Sequence, residues 1–161
     1  MAVEERWDSA GMRQLRELYE PLRRFAAVIG GWDVDPDDLV QDAYTRVLMK
    51  DSSQIRELGP YLRRTIVNLA TDERRRRGRG TAVLHRLGAT AGSTDDYPSD
   101  LQDLLHLQPR VRALLFLVEV EGQQIADAAE LVGMSHSNAR VALMRARRRL
   151  RSDLTVEASG E

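Results

Sequence analysis

The helical periodicity of this chain breaks once, and the break divides it. From Ala10 to Arg77 apolar residues return at intervals of three and four, and they do so again from about residue 100 onward. Between these stretches, GRGTAVLHRLGATAGSTDDYPS (Gly78 to Ser99) is rich in glycine, threonine and serine and keeps little of that spacing. No convincing alternating strand pattern occurs on either side. The expectation is an all-α protein of two small helical domains, residues 10–77 and 100–154, joined by a flexible linker at 78–99. Some 20 extended linker residues would span up to about 65 Å.

The other bounds are broad. With 161 residues, 42% hydrophobic and 30% charged, the chain can bury one ordinary core or two small ones. Cysteine is absent, so disulfides, thiolate metal sites and a thiol nucleophile are excluded. MAVEERWDSAGM carries acids where a signal peptide would be basic and then apolar, and ALLFLV (Ala113 to Val118) is far too short to span a bilayer. A cytoplasmic protein without a membrane span is expected.

The formal net charge of −1 conceals strong segregation. Asp33 to Asp42 holds five aspartates and no base, whereas Tyr61 to Gly80 holds seven arginines against Asp72 and Glu73. The pattern then repeats, with four aspartates in Leu87 to Gln108 and six arginines in Arg140 to Arg151. Only Lys50 among the 24 basic residues is lysine. Guanidinium forks suit bidentate contacts to phosphate and guanine, although a GC-rich genome would produce the same bias.

In the first half, Leu15, Leu18, Leu22, Phe25, Ala26 and Ile29 predict a helix that Pro21 bends or divides. Asp35 can cap the next helix, Pro36 suits its first position, and Asp37 and Asp38 favour the positive end of the macrodipole. Its inward rows are Leu39, Ala43, Val47 and Val40, Tyr44, Leu48, which leaves Asp38, Gln41, Asp42, Thr45 and Arg46 outside. From Pro60 a third helix buries Leu62, Ile66 and Leu69, and its opposite face aligns Arg64, Asn68, Thr71 and Arg75. Such a polar line suits a nucleic-acid strand.

In the second half, Pro109 opens a helix that ends at Gly122. A helix from Gln123 to Val132, the turn Gly133-Met134-Ser135 and a basic helix from Ser135 to about Leu150 then form a helix-turn-helix signature. Ala139, Leu143, Ala146 and Leu150 share the inward face of the last helix, and Ser137, Arg140, Val141, Met144, Arg145 and Arg148 lie outside, with His136 and Asn138 near its start. In this motif the second helix enters the major groove by its N-terminal part, so His136 to Met144 would meet base edges and the later arginines phosphates. Arg140 and Asn138 have the strongest direct-readout chemistry.

Two separated blocks together resemble one family. EGQQIADAAELVGMSHSNARVALMRARRRLR, with LQPRVRALLFLVEV before it, resembles the promoter-reading C-terminal domain of bacterial extracytoplasmic-function sigma factors. DPDDLVQDAYTRVLMK followed by PYLRRTIVNLATDERRRR is similar to region 2 of the same family, and the likeness runs from about Ala10 to Leu154. It implies recognition and strand separation rather than bond making, with no cofactor. Asp38, Leu39, Gln41, Asp42 and Arg46 would bind the clamp coiled coil of core RNA polymerase. Tyr61, Arg64, Asn68, Thr71, Arg74 and Arg75 would contact the minus-10 element, with an unstacked base held by the loop Asp51 to Gly59. The minus-35 duplex would meet His136, Ser137, Asn138, Arg140, Val141, Met144, Arg145 and Arg148, with Arg110 and Arg112 near phosphates. The implied partners are core polymerase, promoter DNA and, as for many members, an anti-sigma factor that nothing in the chain identifies. Free, the protein would be a monomer.

Asn138, Ala139, Val141 and Ala142 depart from residues common in the family, so no minus-35 sequence carries over. Arg63 replaces a common aromatic and Tyr61 a frequent tryptophan, which predicts weak intrinsic melting and narrow promoter choice. The rival readings are a stand-alone helix-turn-helix regulator, a sigma-like protein that binds polymerase without initiating, and a metal hydrolase built on Asp35, Asp38 and Asp42. The last lacks a second acidic helix, and His85, His106 and His136 are scattered. Asp95, Asp96, Asp100 and Asp103 give the linker an acidic character that would let it fold back on an arginine surface.

Overall fold

The computed structural model describes residues 6–86, 104 and 106–157. Among them every regular element is helical: α1 (Ser9–Gly30), α2 (Pro36–Leu48), α3 (Leu58–Arg86), α4 (Pro109–Leu115), α5 (Ile125–Val132) and α6 (His136–Glu157).

The Asp8 carboxylate caps α1 by accepting from the Gly11 amide at 2.8 Å. Pro21 lies inside this helix without dividing it. Its missing N–H removes one bond of the helix ladder, at the carbonyl of Glu17, an exposed residue on the outer side. At α2, the Asp35 side chain accepts from the Asp37 amide at 2.8 Å and Pro36 takes the first position, as the sequence predicts. Leu15, Leu22, Phe25, Ala26 and Ile29 of α1, Val40, Ala43 and Val47 of α2, and Leu62, Ile66 and Val67 of α3 form the buried centre of the first half.

The linker boundary needs correcting in its local structure. α3 does not stop at Arg77 but continues to Arg86. Gly78 and Gly80 have no neighbour near where a Cβ would stand, so they weaken the helix without ending it. The rest of the expected linker falls outside the described residues, as do the acidic residues Asp95, Asp96, Asp100 and Asp103.

In the second half, α4 widens into a π turn over Phe116–Val120, with the Glu121 amide donating to Phe116 O at 3.1 Å. Gly133 holds the turn between α5 and α6 at φ 73° and ψ 38°, a left-handed conformation that suits glycine. The Ser135 hydroxyl accepts from the Asn138 amide at 3.2 Å and so caps α6. Ala139, Leu143 and Ala146 are buried on the expected inward face, against α4 and α5.

The two halves also pack on each other. The Phe25 and Phe116 rings meet edge to face with centroids 5.7 Å apart, and the Arg112 guanidinium donates to the carbonyl of Ile29. The apolar core is thereby continuous from α1 to α6.

Candidate nucleic-acid interface

The outward face of α6 emerges as its residue spacing dictates. His136, Ser137, Asn138, Arg140, Arg145 and Arg148 are exposed, and Val141 and Met144 remain 42% and 52% exposed despite their apolar side chains. Their inward neighbours Ala139 and Leu143 are sealed against the bundle, so the helix has one free side. Val141 and Met144 lie with Ser137 and Arg140 along a cleft of about 530 Å³ that Ile125 and Arg147 also border. Arg147 pairs with Glu119 through its Nε at 2.6 Å, which fixes α6 to the π turn. Such an arrangement offers guanidinium, amide and apolar contacts together, the set that reads guanine, adenine and the thymine methyl in a major groove.

Arg112 does not join this surface. It is 4% exposed and points into the junction with α1, where it bonds to the carbonyl of Ile29. Its expected phosphate role is therefore corrected to a bridge between the halves. Arg110 stays partly exposed near the start of α4.

On α3, Arg64, Asn68 and Arg75 are exposed in line, with Thr71 half-buried among them and its hydroxyl donating to Val67 O at 2.7 Å. The run of four arginines divides as the 100° step per residue requires. Arg76 and Arg77 turn to Glu73, at 2.5 Å and 2.9 Å, and border a cleft shared with Asp35, Asp38 and Asp42. These two guanidinium groups hold the Glu73 carboxyl below its ordinary value, the bond from Arg77 contributing most. Arg74 instead reaches the second half and donates to the carbonyls of Leu107 and His106. Arg64 donates to Glu130 O at 2.8 Å, and Arg63 pairs with Glu121 at 2.7 Å. Tyr61 is half-buried, with the Lys50 ammonium 5.2 Å from its ring centre.

On α2, Asp38, Gln41, Asp42 and Arg46 form an exposed polar strip. Leu39 is 4% exposed and packs towards Gly30, so its expected contact with a partner is corrected to a core position. Beside the strip, Asp37 is tied to α1. The Tyr19 hydroxyl donates to its Oδ1 at 2.5 Å and Arg23 Nε donates at 3.0 Å, and these bonds keep the Asp37 carboxyl below its ordinary value.

Sequence reasoning missed Trp7. Its indole is buried, Nε1 donates to Lys50 O at 3.1 Å, and the ring passes so close to Gly11 that a Cβ there would lie 2.9 Å from it. Trp7 thus anchors the loop before α3, and both line a cleft of about 580 Å³ with Gln14, Ser52, Arg56 and Pro60. An apolar residue just before the capping Asp8, with Met12 five residues on, is the spacing of a hydrophobic staple and the one local signal available.

Among the described residues, no three His, Asp or Glu side chains come together as metal ligands, and no helix is long and apolar enough to cross a membrane.

Comparison with known proteins follows both halves. The family model for Sigma-70 region 2 matches residues 15–80, and that for Sigma-70 region 4 matches residues 103–150. Over 142 residues the chain is 28% identical to ECF RNA polymerase sigma factor SigM of Mycobacterium tuberculosis, in strains Erdman and H37Rv alike, spanning 84% of this chain and 72% of the relative. The sigma factor RpoE of Bartonella quintana, solved in complex with the anti-sigma factor NepR, superposes with a TM-score of 0.70 at 25% identity, over 90% of this chain and 96% of that one.

Proposed function

The chain belongs to the extracytoplasmic-function sigma factors, which bind core RNA polymerase and direct it to promoters, and on that premise we propose which residues do so here. The observation that carries the assignment is the presence on one chain of three separate solvent-facing surfaces with the right chemistry: the acidic strip of α2, the polar line of α3 and the reading face of α6.

Asp38, Gln41, Asp42 and Arg46 dock on the polymerase clamp, with Leu39 beneath them as packing. Residues 10–77 and 100–154 act as the two promoter-binding domains, and the chain between them supplies the reach. Arg64, Asn68, Thr71 and Arg75 follow the minus-10 strand, with Arg74 beside them and Tyr61 at the upstream end. The loop Asp51 to Gly59, steadied by Trp7, encloses an unstacked base; extrusion costs a few kcal/mol, which contacts in the cleft offset. His136 to Met144 read the minus-35 duplex and Arg145, Arg148 and Arg110 hold its phosphates. The chain's task is binding and strand capture, with bond making left to the polymerase, and its setting is the cytoplasm, on the nucleoid once in holoenzyme. An anti-sigma factor of the kind bound to RpoE is a fitting regulator.

The docking assignment is tested by titrating core polymerase with labelled full-length chain. Asp38→Asn with Asp42→Asn should weaken binding at least tenfold without changing the helical circular dichroism. Unchanged affinity would remove the α2 strip from the interface.

A further inference from the structure

We infer that Val141 and Met144 read the C5-methyl groups of two neighbouring thymines in the minus-35 duplex, beside a guanine taken by Arg140. The inference rests on the reading of α6 as the helix that enters the major groove, and it names the base chemistry that this helix selects.

The two side chains stand where a basic surface helix has no structural use for them. α6 already buries Ala139, Leu143 and Ala146 against the bundle, and Val141 and Met144 lie on the opposite side. Among the described residues five large apolar side chains are exposed, and these two are the pair that shares one helix face. A single exposed apolar residue needs no explanation, whereas an apolar patch set inside a polar rim marks a contact surface. The rim here is Ser137, Arg140, Arg145 and Arg148, all exposed.

Helical geometry fixes how these groups meet a duplex. Arg140 and Val141 are side by side, with Ser137 one turn before them and Met144 one turn after both. All four border one cleft with Ile125 and Arg147, so the apolar and guanidinium groups face the same ligand surface. Of the two arginines in that cleft, Arg147 is committed to Glu119 and Arg140 is exposed. Met144 lies three residues beyond Val141, about 4.5 Å along the axis. That is nearer to one base-pair step of roughly 3.4 Å than to two. The methyl groups the pair would cover are therefore on adjacent base pairs.

Thymine alone suits such a pair. Its C5-methyl is the apolar group of the major-groove code, and the other bases present donors and acceptors there. Val141 offers no hydrogen bond, and the Met144 thioether is at most a weak acceptor. The amino group of cytosine or adenine against them would lose water without gaining a good partner. Arg140, beside Val141, has the fork that takes the O6 and N7 of guanine.

The test uses holoenzyme reconstituted from core polymerase and the full-length chain, which selects an upstream element from a randomised duplex pool. Each thymine of that element is then replaced singly by deoxyuridine, which removes the methyl and keeps every hydrogen-bonding group. Binding should weaken about fourfold at each of two adjacent thymines, the worth of one buried carbon group, and should not change at the others. Val141→Ser should abolish the thymine-to-uracil difference at one of the two positions and Met144→Gln at the other, while both keep the guanine preference that Arg140→Ala removes. Exchange of either thymine pair for 5-methylcytosine with guanine should bind more tightly than exchange for cytosine with guanine. An element that depends on Arg140 but is indifferent to uracil would overturn the inference and leave α6 as the reader. Failure to select any upstream element, or one indifferent to Arg140→Ala, would overturn the reading on which it rests. Weaker binding of Val141→Ser and Met144→Gln to core polymerase without DNA would assign the apolar pair to a protein contact and overturn the inference as well.

Discussion

Arg75→Ala and Arg76→Ala are adjacent, chemically identical changes whose consequences should differ. Arg75 is exposed in line with Arg64 and Asn68, whereas Arg76 is committed to Glu73 at 2.5 Å. With Arg64, Arg74 and Arg75 on strand phosphates, single-strand counterion release of about 0.7 per contact gives a log-log salt slope of about −2 from this helix, and Arg75→Ala should reduce it to about −1.4. One charge-assisted bond should also be worth about tenfold or more in affinity. Arg76→Ala removes an exposed i,i+3 ion pair of little energetic weight, so its loss should stay within about twofold. The assay is anisotropy of reconstituted holoenzyme on a premelted promoter template between 50 and 200 mM salt, ranges over which such slopes are resolved. Equal losses and equal slopes for the two variants would refute the division of the arginine run and return it to a general basic patch.

Three further outcomes concern the scaffold. Tyr44→Phe deletes the bond from its hydroxyl to Leu15 O, 2.6 Å long, and should lower unfolding stability in urea by about 1 kcal/mol. Burial pushes the Tyr44 hydroxyl up to about 12 from 10.0, so its contribution is full below pH 10 and is lost as pH rises towards 12; the variant should lack that alkaline loss. For Asp37, with its carboxyl held below the ordinary 3.8 chiefly by Tyr19, the stabilisation is present above that value and fades as pH falls through the folded-state value, so Asp37→Asn should flatten the acid side of a Tm-against-pH curve. Gly78→Ala meets no neighbouring atom within 4 Å and should raise local helix stability by about 0.5 to 1 kcal/mol, seen as slower amide exchange around residues 74–82.

Local chemistry made much of the fold legible. Asp35 and Pro36 start α2, Gly133 turns α5 into α6, and the Ala139-Leu143-Ala146 stripe faces inward, because each depends on residues within one or two turns. Leu39 is instructive. Its row with Ala43 and Val47 already directs it inward, and that periodicity is a better guide than membership of a binding motif. Arg112 and Trp7 could not be assigned locally, since their acceptors, Ile29 O and Lys50 O, lie 83 and 43 residues away. The passage of α3 through Gly78 and Gly80 was hidden for a different reason, because glycine lowers helix propensity by only about 1 kcal/mol and carries no stop signal by itself. The outward faces of α3 and α6 were legible as polar rows, but the engagement of Arg63, Arg64 and Arg74 by the other half is tertiary and left no trace in their spacing.

Run-off transcription with purified core polymerase on genomic fragments, with and without the full-length chain, addresses the central claim most directly. Discrete transcripts from a limited set of start sites, present only when the chain is added and abolished by Asp38→Asn with Asp42→Asn, are the predicted result. Tight binding to core without any specific start, or binding to a palindromic duplex that is indifferent to core, would contradict it.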